Sequence, residues 1–331
     1  MKKKSKEIYK RSIGNIEKNI LPLLVLIVLI LIWAAIFKPD NFYTAGNFVA
    51  MAYQIPEFGI LALGMAICMI SGGIDLSMVG IANLCAIAAA LTVTKTGSAA
   101  VAIILAVIVG ALSGCFNGLM VGFFGIPPML VTLGGLQIFT GLAMAVTKGA
   151  AITGIPETFL VIGNGLILKS VPISLVVLLV SAVVLHVILK FTVFGQQVYM
   201  MGTNSTASRY TGINNVMVNI RTYMISGVLA SLAGIIMCSR YGSANSDYGS
   251  SYTLLTLLIA VLGGIDPNGG KGKVFGVMLS IVILQFVSSL FNILRFNSFL
   301  KTCIWGLILI VVMISNYWLQ NRHRVRRSKK E

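Results

Sequence analysis

"MISGGIDLSMVG", residues 69–80, places two adjacent glycines and an aspartate, Asp75, in the middle of a long apolar stretch. The apolar runs on either side approach the length of about 20 residues that a bilayer-crossing helix needs. Helices in hydrocarbon satisfy their own backbone groups, so a break at that depth has a structural or functional reason. Glycine permits the sharp turn and the close approach of neighbouring backbones. The stretch therefore reads as a broken helix in an integral membrane protein.

Composition supports this. Hydrophobic residues make up 57% of the 331-residue chain and charged residues 10%, against about 25% charged in soluble domains. The formal net charge of +16 raises the question of nucleic acid, and its distribution answers it. Lys2, Lys3, Lys4, Lys6, Lys10, Arg11 and Lys18 precede or begin the first apolar run; Arg322, Arg324, Arg326, Arg327, Lys329 and Lys330 follow the last. Basic flanks are retained in the cytoplasm. The charge orients the chain in a lipid bilayer and implies no nucleic-acid partner. Both termini are placed inside, which demands an even number of crossings.

Turn residues divide the apolar blocks into ten spans, at 20–37, 51–70, 75–94, 99–123, 128–147, 172–190, 220–239, 252–264, 274–293 and 299–318. The span at 252–264 is short. The expected fold is all-α, with about ten transmembrane helices, an internal pseudo-repeat and both termini cytoplasmic. A basic tail at 1–19 and another at 319–331 flank the membrane domain at 20–318. The first run lacks a small-x-small cleavage site and reads as a retained helix, not a signal peptide. The five cysteines fall within spans without CxxC spacing and read as small core residues.

Two connections are long, 148–171 outside and 191–219 inside. Long ordered loops are usually functional. The inner one holds a short helix that Asn204 or Ser205 can cap and Gly212 can stop. A helix too short to stand alone offers a docking surface, or serves as a packed connector.

Gly-Gly-Ile-Asp returns in "LGGIDPNGGKGKVFG", residues 262–276. The two stretches supply a candidate set of helix-break and pathway residues: Gly72, Gly73, Asp75, Ser77, Gly263, Gly264, Asp266, Gly269 and Gly270. Repeated broken helices point to transport pathways. Asp75 is expected to cap a helix beginning at Leu76, and Asp266 followed by Pro267 to start another. A second reading gives Asp75 direct contact with cargo or a proton. Glu57, after Pro56, is either an interfacial anchor or a contact at the outer mouth.

Catalytic motifs are missing. "GGIDPNGGKGK" fails the phosphate-loop pattern G-x-x-x-x-G-K-[ST], because Ile265 holds the first position and Gly272 follows Lys271. His186 and His323 are isolated. The chain reads as neither an ATPase nor another enzyme, and calls for no cofactor of its own.

The quoted stretches together resemble the membrane permeases of ribose-type ATP-binding-cassette (ABC) importers, in the branched-chain amino acid/ribose permease superfamily. "ALGMAICMISGGIDLSMVG" (62–80) is similar to that family's most distinctive motif. "NGLMVGFFGIPPMLVTLGGLQIFTGLAMAVTKG" (117–149), "TVFGQQVYMMGTNSTASRYTGI" (192–213), "YMISGVLASLAGIIMCSR" (223–240) and "IAVLGGIDPNGGKGKVFG" (259–276) match further segments in order. The resemblance implies a monosaccharide permease in a prokaryotic cell membrane. It also implies a partner ATPase that binds ATP and magnesium, an extracytoplasmic sugar-binding protein and a second permease chain. It makes 191–219 the ATPase-coupling loop, with matching residues Phe194, Gly195, Tyr199, Gly202, Asn204, Ala207, Arg209, Gly212 and Ile213. Gln196, Ser208 and Thr253 depart from the pattern. The competing class, an ion-coupled secondary transporter, needs ionisable groups deep in the spans, and only boundary groups such as Asp75 and Glu57 offer themselves.

Overall fold

The computed structural model describes residues 23–32, 34, 36, 39–167 and 171–328. The expected N-terminal tail at 1–19, both ends of the 20–37 span, and residues 168–170 and 329–331 lie outside them.

The chain begins with α1 (Leu23–Ile32) and the single turn α2 (Pro39–Phe42). There follow α3 (Ala45–Ile70), α4 (Met78–Thr96), α5 (Ala99–Gly122) and α6 (Pro128–Thr147). The short α7 (Glu157–Asn164) leads into a two-stranded antiparallel hairpin, β1 (Leu166–Ile167) and β2 (Val171–Pro172). Then come α8 (Ile173–Phe191), α9 (Val193–Thr203), α10 (Ser205–Tyr210) and α11 (Asn215–Tyr241). The chain finishes with α12 (Tyr252–Leu262), α13 (Val274–Ile293) and α14 (Ser298–Ser328).

Seven of these helices, α3, α4, α5, α6, α8, α11 and α13, are long and apolar enough to cross a membrane. Three shorter apolar helical stretches, Leu23–Ile32, Tyr252–Leu262 and Phe299–Ile314, stand where spans 20–37, 252–264 and 299–318 are expected. The chain is a mostly helical, multi-pass membrane protein. Local chemistry sets the boundaries. The Thr44 and Ser98 side chains accept from the backbone N–H groups of Asn47 and Val101, capping α3 and α5. Pro128 opens α6, where its missing N–H costs nothing.

The core is built around α11, which packs against α3, α4 and α5. Along α5, glycines recur every fourth residue, at 110, 114, 118 and 122, and all four face α11. A Cβ at Gly118 would lie 2.6 Å from Ile220 Cα, and one at Gly114 would collide with the Tyr223 carbonyl. Where lipid offers no hydrophobic drive, small residues let two backbones approach this closely. The outward faces of α5, α6 and α8 are covered by nothing else among the described residues.

Two expected helix starts are displaced. α4 begins at Met78 with Ser77 at its N-cap, so Asp75 does not cap a helix from Leu76. Residues 267–270 form turns and bends, 271–273 are irregular and α13 begins at Val274, so Asp266–Pro267 starts no helix. In both places polar side chains bond locally instead. Cys68, Cys85 and Cys238 are buried as expected of core residues, whereas Cys303 faces outward.

Candidate functional site

Both breaks begin with the same helix ending. At α3, the Gly72 N–H bonds to the Met69 carbonyl and Gly73 N–H to Cys68; at α12, Gly264 N–H bonds to Val261 and Ile265 N–H to Ala260. This is the paired-bond termination that requires a left-handed residue, supplied by Gly72 (φ +93°) and Gly264 (φ +82°). Each aspartate then accepts the N–H two residues on, Ser77 from Asp75 and Asn268 from Asp266, both at 3.1 Å.

The breaks meet on α9. The Gly270 N–H donates to the carbonyl of Ile70, the last residue of α3, at 2.8 Å. Gly202 of α9 lies against that bond, and a Cβ there would strike Ile70 O and approach Gly270 N to 2.5 Å. A Cβ on Gly269 would lie 2.7 Å from both Gly72 Cα and Gly202 O. The Tyr199 hydroxyl donates to Gly272 O at 2.9 Å, and burial raises its pKa, so it stays a donor. Four expected residues, Gly72, Gly202, Gly269 and Gly270, thus form one backbone junction.

Asp75 lies beyond the junction, fully buried. Its Oδ1 accepts from Ser77 Oγ at 2.6 Å and its Oδ2 from Ser226 Oγ at 2.7 Å. Asn117 Nδ2 donates to Ser77 Oγ at 2.7 Å, and Thr132 Oγ1 to the Ile74 carbonyl at 3.0 Å. Ser226 is the twelfth residue of α11, roughly 17 Å along that helix. The carboxylate makes no ion pair among the described residues; hydroxyls and one N–H hold it. It fastens the first break to the middle of α11, with α5 and α6 closing around it.

The helix expected in the inner loop is α10. Asn204 Oδ1 accepts the Ala207 N–H at 2.9 Å, and Gly212 (φ +84°) ends it with the same paired bonds, Gly212 to Arg209 and Ile213 to Ser208. The nine loop residues divide by direction. Phe194, Gly195, Tyr199, Gly202 and Ile213 turn toward the body of the protein, whereas Asn204, Ala207, Arg209 and Gly212 are exposed. Tyr210 is 89% exposed, and Arg209 makes no ion pair among the described residues.

Glu57 is not open to a mouth. It is fully buried, with Arg240 Nη1 at 2.6 Å on Oε1 and the Tyr241 and Tyr252 hydroxyls each at 2.8 Å on Oε2. Arg240 also donates to the Tyr53 carbonyl at 3.2 Å. This cluster locks α3 to the end of α11 and the start of α12, at the end of the bundle remote from α10. Of the residues the sequence reading passes over, Ser226, Asn117 and Arg240 matter most. Their signal is a polar side chain within, or at the end of, a small-residue helix.

Residues 47–313 match the family described as "Branched-chain amino acid transport system / permease component". The ribose import permease protein RbsC of Bacillus subtilis (strain 168) is 32% identical over 295 residues, covering 88% of this chain and 91% of that protein. RbsC of Haemophilus influenzae is 28% identical over 307 residues, 92% of this chain and 93% of that protein. The autoinducer 2 import system permease protein LsrD of Photorhabdus temperata is 29% identical over 274 residues, 81% and 82% of the two chains. No solved structure matches the chain.

Proposed function

The chain belongs to the branched-chain amino acid transport system / permease component family, and from that premise we propose that it is the transmembrane permease subunit of an ABC importer carrying a monosaccharide or related sugar. Relatives named for ribose and for autoinducer 2 import support that cargo class. ATP and magnesium are held by a separate ATPase subunit, and this chain is non-catalytic. An extracytoplasmic sugar-binding protein delivers cargo, and a second permease chain completes the pathway. The chain lies in the inner or plasma membrane of a prokaryote, crosses it ten times and keeps both termini in the cytoplasm.

The observation that carries this reading is the placement of α9 and α10. An exposed, capped helix projects at one end, and the helix before it touches both broken spans through Gly202. An ATPase moving α10 therefore has a direct mechanical route to the two breaks. Asn204, Ala207, Arg209 and Gly212 form the docking surface, while Phe194, Tyr199, Gly202 and Ile213 hold it to the membrane body.

The test is ATP hydrolysis in proteoliposomes, with this chain assembled with its ATPase and given sugar-loaded binding protein. Stimulation by loaded protein that Arg209→Glu abolishes is the expected result. If no ATPase associates and uptake follows an imposed proton or sodium gradient, the importer reading fails.

A further inference from the structure

The end of α13 departs from the chain's other endings of the same kind. Its closing bonds run from Arg295 N–H to the Asn292 carbonyl and from Phe296 N–H to Phe291. Arg295 takes the left-handed position, at φ +56°. Gly72, Gly264 and Gly212 hold that position at the equivalent ends of α3, α12 and α10. Glycine enters it without steric cost and a side chain does not, so an arginine there points to a use for its guanidinium.

That side chain is exposed and makes no hydrogen bond or ion pair among the described residues. Other cations near helix ends are engaged: Arg240 with Glu57, Lys271 with Asp266, and Lys190 over the Phe191 ring at 4.9 Å. Asn292 brings a second cation to the end of α13. Its carbonyl accepts the Arg295 N–H, and its side-chain oxygen accepts from Lys301 in the first turn of α14. The Lys301 ammonium keeps two further N–H groups to offer.

A groove leads away from this basic end. Leu29 and Ile30 of α1 line it with Val287, Leu290, Phe291 and Leu294 of α13, around about 380 Å³. None of the six is polar. The α13 residues follow the spacing of one helix face and rise about 10 Å from Val287 to Leu294, where Arg295 is the next residue. The walls are held in place. The Phe291 ring stacks on Phe296 at 5.5 Å and meets Trp305 at 5.2 Å, and Leu290 packs with Ala34, Phe42 and Met51.

We infer that this groove holds an acyl chain of an anionic phospholipid, whose phosphate lies between Arg295 and Lys301. The occupant follows from the two ends of the site. An apolar groove between membrane helices takes hydrocarbon. Unpaired cations at its mouth take a phosphodiester, to which a guanidinium can offer two parallel N–H groups. The chain's own first 22 residues are the wrong partner: seven lysines and arginines against Glu7 and Glu17 would be repelled by the same pair. A zwitterionic lipid fills the groove equally well, but its own ammonium offsets the phosphate charge.

Native mass spectrometry tests this, on the full chain released from detergent after incubation with phosphatidylglycerol or with phosphatidylethanolamine of the same acyl chains. A basic residue beside an anionic headgroup changes affinity about fivefold. Wild type should retain one phosphatidylglycerol at concentrations where phosphatidylethanolamine is lost, and Arg295→Gly and Lys301→Gln should each weaken retention by about that factor. Arg295→Gly decides most, because glycine suits the left-handed position. Its melting temperature should be no lower than wild type while the lipid is lost. Val287→Trp fills the inner end of the groove and should release the lipid with both cations in place. Lys148→Gln, at the other non-glycine residue of positive φ, should change nothing.

The inference is overturned if the two lipids are retained alike, or if Arg295→Gly keeps phosphatidylglycerol as wild type does. Equal weakening by Lys148→Gln overturns it too, since any exposed cation would then suffice. Undiminished retention in Val287→Trp, or displacement of the lipid by excess inorganic phosphate, removes the acyl groove from the site and overturns it as well. The measurement needs neither ATPase nor sugar.

Discussion

Replacing Gly202 by alanine puts one methyl group where three segments meet. Its Cβ falls on the Ile70 carbonyl oxygen and 2.5 Å from the Gly270 nitrogen. Those atoms form the 2.8 Å bond that satisfies the terminal carbonyl of α3. Unpairing a buried donor or acceptor costs about 1–3 kcal/mol, and overpacking a close-packed site adds about 1–3 kcal/mol. Both neighbours are backbone atoms, so no rotamer change relieves the overlap. The expected cost is roughly 2–6 kcal/mol unless α9 lifts away from both breaks.

Two assays separate stability from transmission. Thermal unfolding of the purified chain should show a drop of about 3–9 °C, scaled from values for soluble domains. Sugar-stimulated ATP hydrolysis by the assembled importer should be lost while the ATPase alone keeps its basal rate. Gly46→Ala is the control. It lies in the first turn of α3 with nothing within 4 Å of its Cβ, so it should stay within about 1 kcal/mol of wild type. A Gly202→Ala protein that melts with wild type and keeps full stimulation refutes the junction. One that melts early yet keeps stimulation per folded molecule leaves α9 as structural support and refutes its role in transmission.

Asp75→Ala leaves the Ser77 N–H, Ser77 hydroxyl and Ser226 hydroxyl without their acceptor, at about 1–3 kcal/mol for each group stranded. Asp75→Asn keeps an acceptor and should melt closer to wild type, and equal melting of the two variants would refute the hydrogen-bonding role. Glu57→Gln deprives Arg240 of its charge partner; the Arg240 side chain is 19% exposed, so the loss should be about 1–3 kcal/mol, below that of a fully enclosed pair. Tyr252→Phe removes one of the donors to Glu57 and should cost about 0.5–1.5 kcal/mol by the same melting assay. Arg209→Glu changes an exposed residue, so melting should move by no more than about 0.5 kcal/mol while co-purification of the ATPase subunit is lost.

Much of the fold can be read from periodicity and punctuation. The spans at 128–147 and 274–293 coincide with α6 and α13 because proline, glycine or charged residues stop the apolar run abruptly at their ends. Asn204 and Gly212 announce α10 for the same reason. The aspartates are harder, because Ser77 and Asn268 compete for a carboxylate that propensity assigns to a helix cap. Glu57 is harder still. Its partners lie more than 180 residues away in sequence, and no local pattern reveals that three donors converge on it. The α5 glycine period is plain in "GALSGCFNGLMVG", residues 110–122, but only the structure shows that α11 is the helix it receives.

The two Gly-Gly-Ile-Asp stretches are alike in sequence and unlike in mechanics. Their aspartate turns superpose in sequence register, whereas the left-handed glycine is the first of the pair at 72 and the second at 264. One more residue therefore separates the left-handed glycine from the aspartate in the first break than in the second. The difference continues downstream. Asp75 is bonded into α11 and enclosed on every side, while Asp266 is paired to the exposed Lys271 at 3.3 Å. Gly269 and Gly270 then touch the first break and α9 mainly through backbone atoms, with Thr203 Oγ1 the one side-chain atom beside Gly270. Side chains anchor the first break to the core, whereas glycine surfaces and the one Tyr199 hydroxyl bond to Gly272 O hold the second against it. Contacts of this kind separate or slide with the loss of a single side-chain hydrogen bond. Displacement of α9 should therefore move the 263–273 segment first and reach Asp75 only through it.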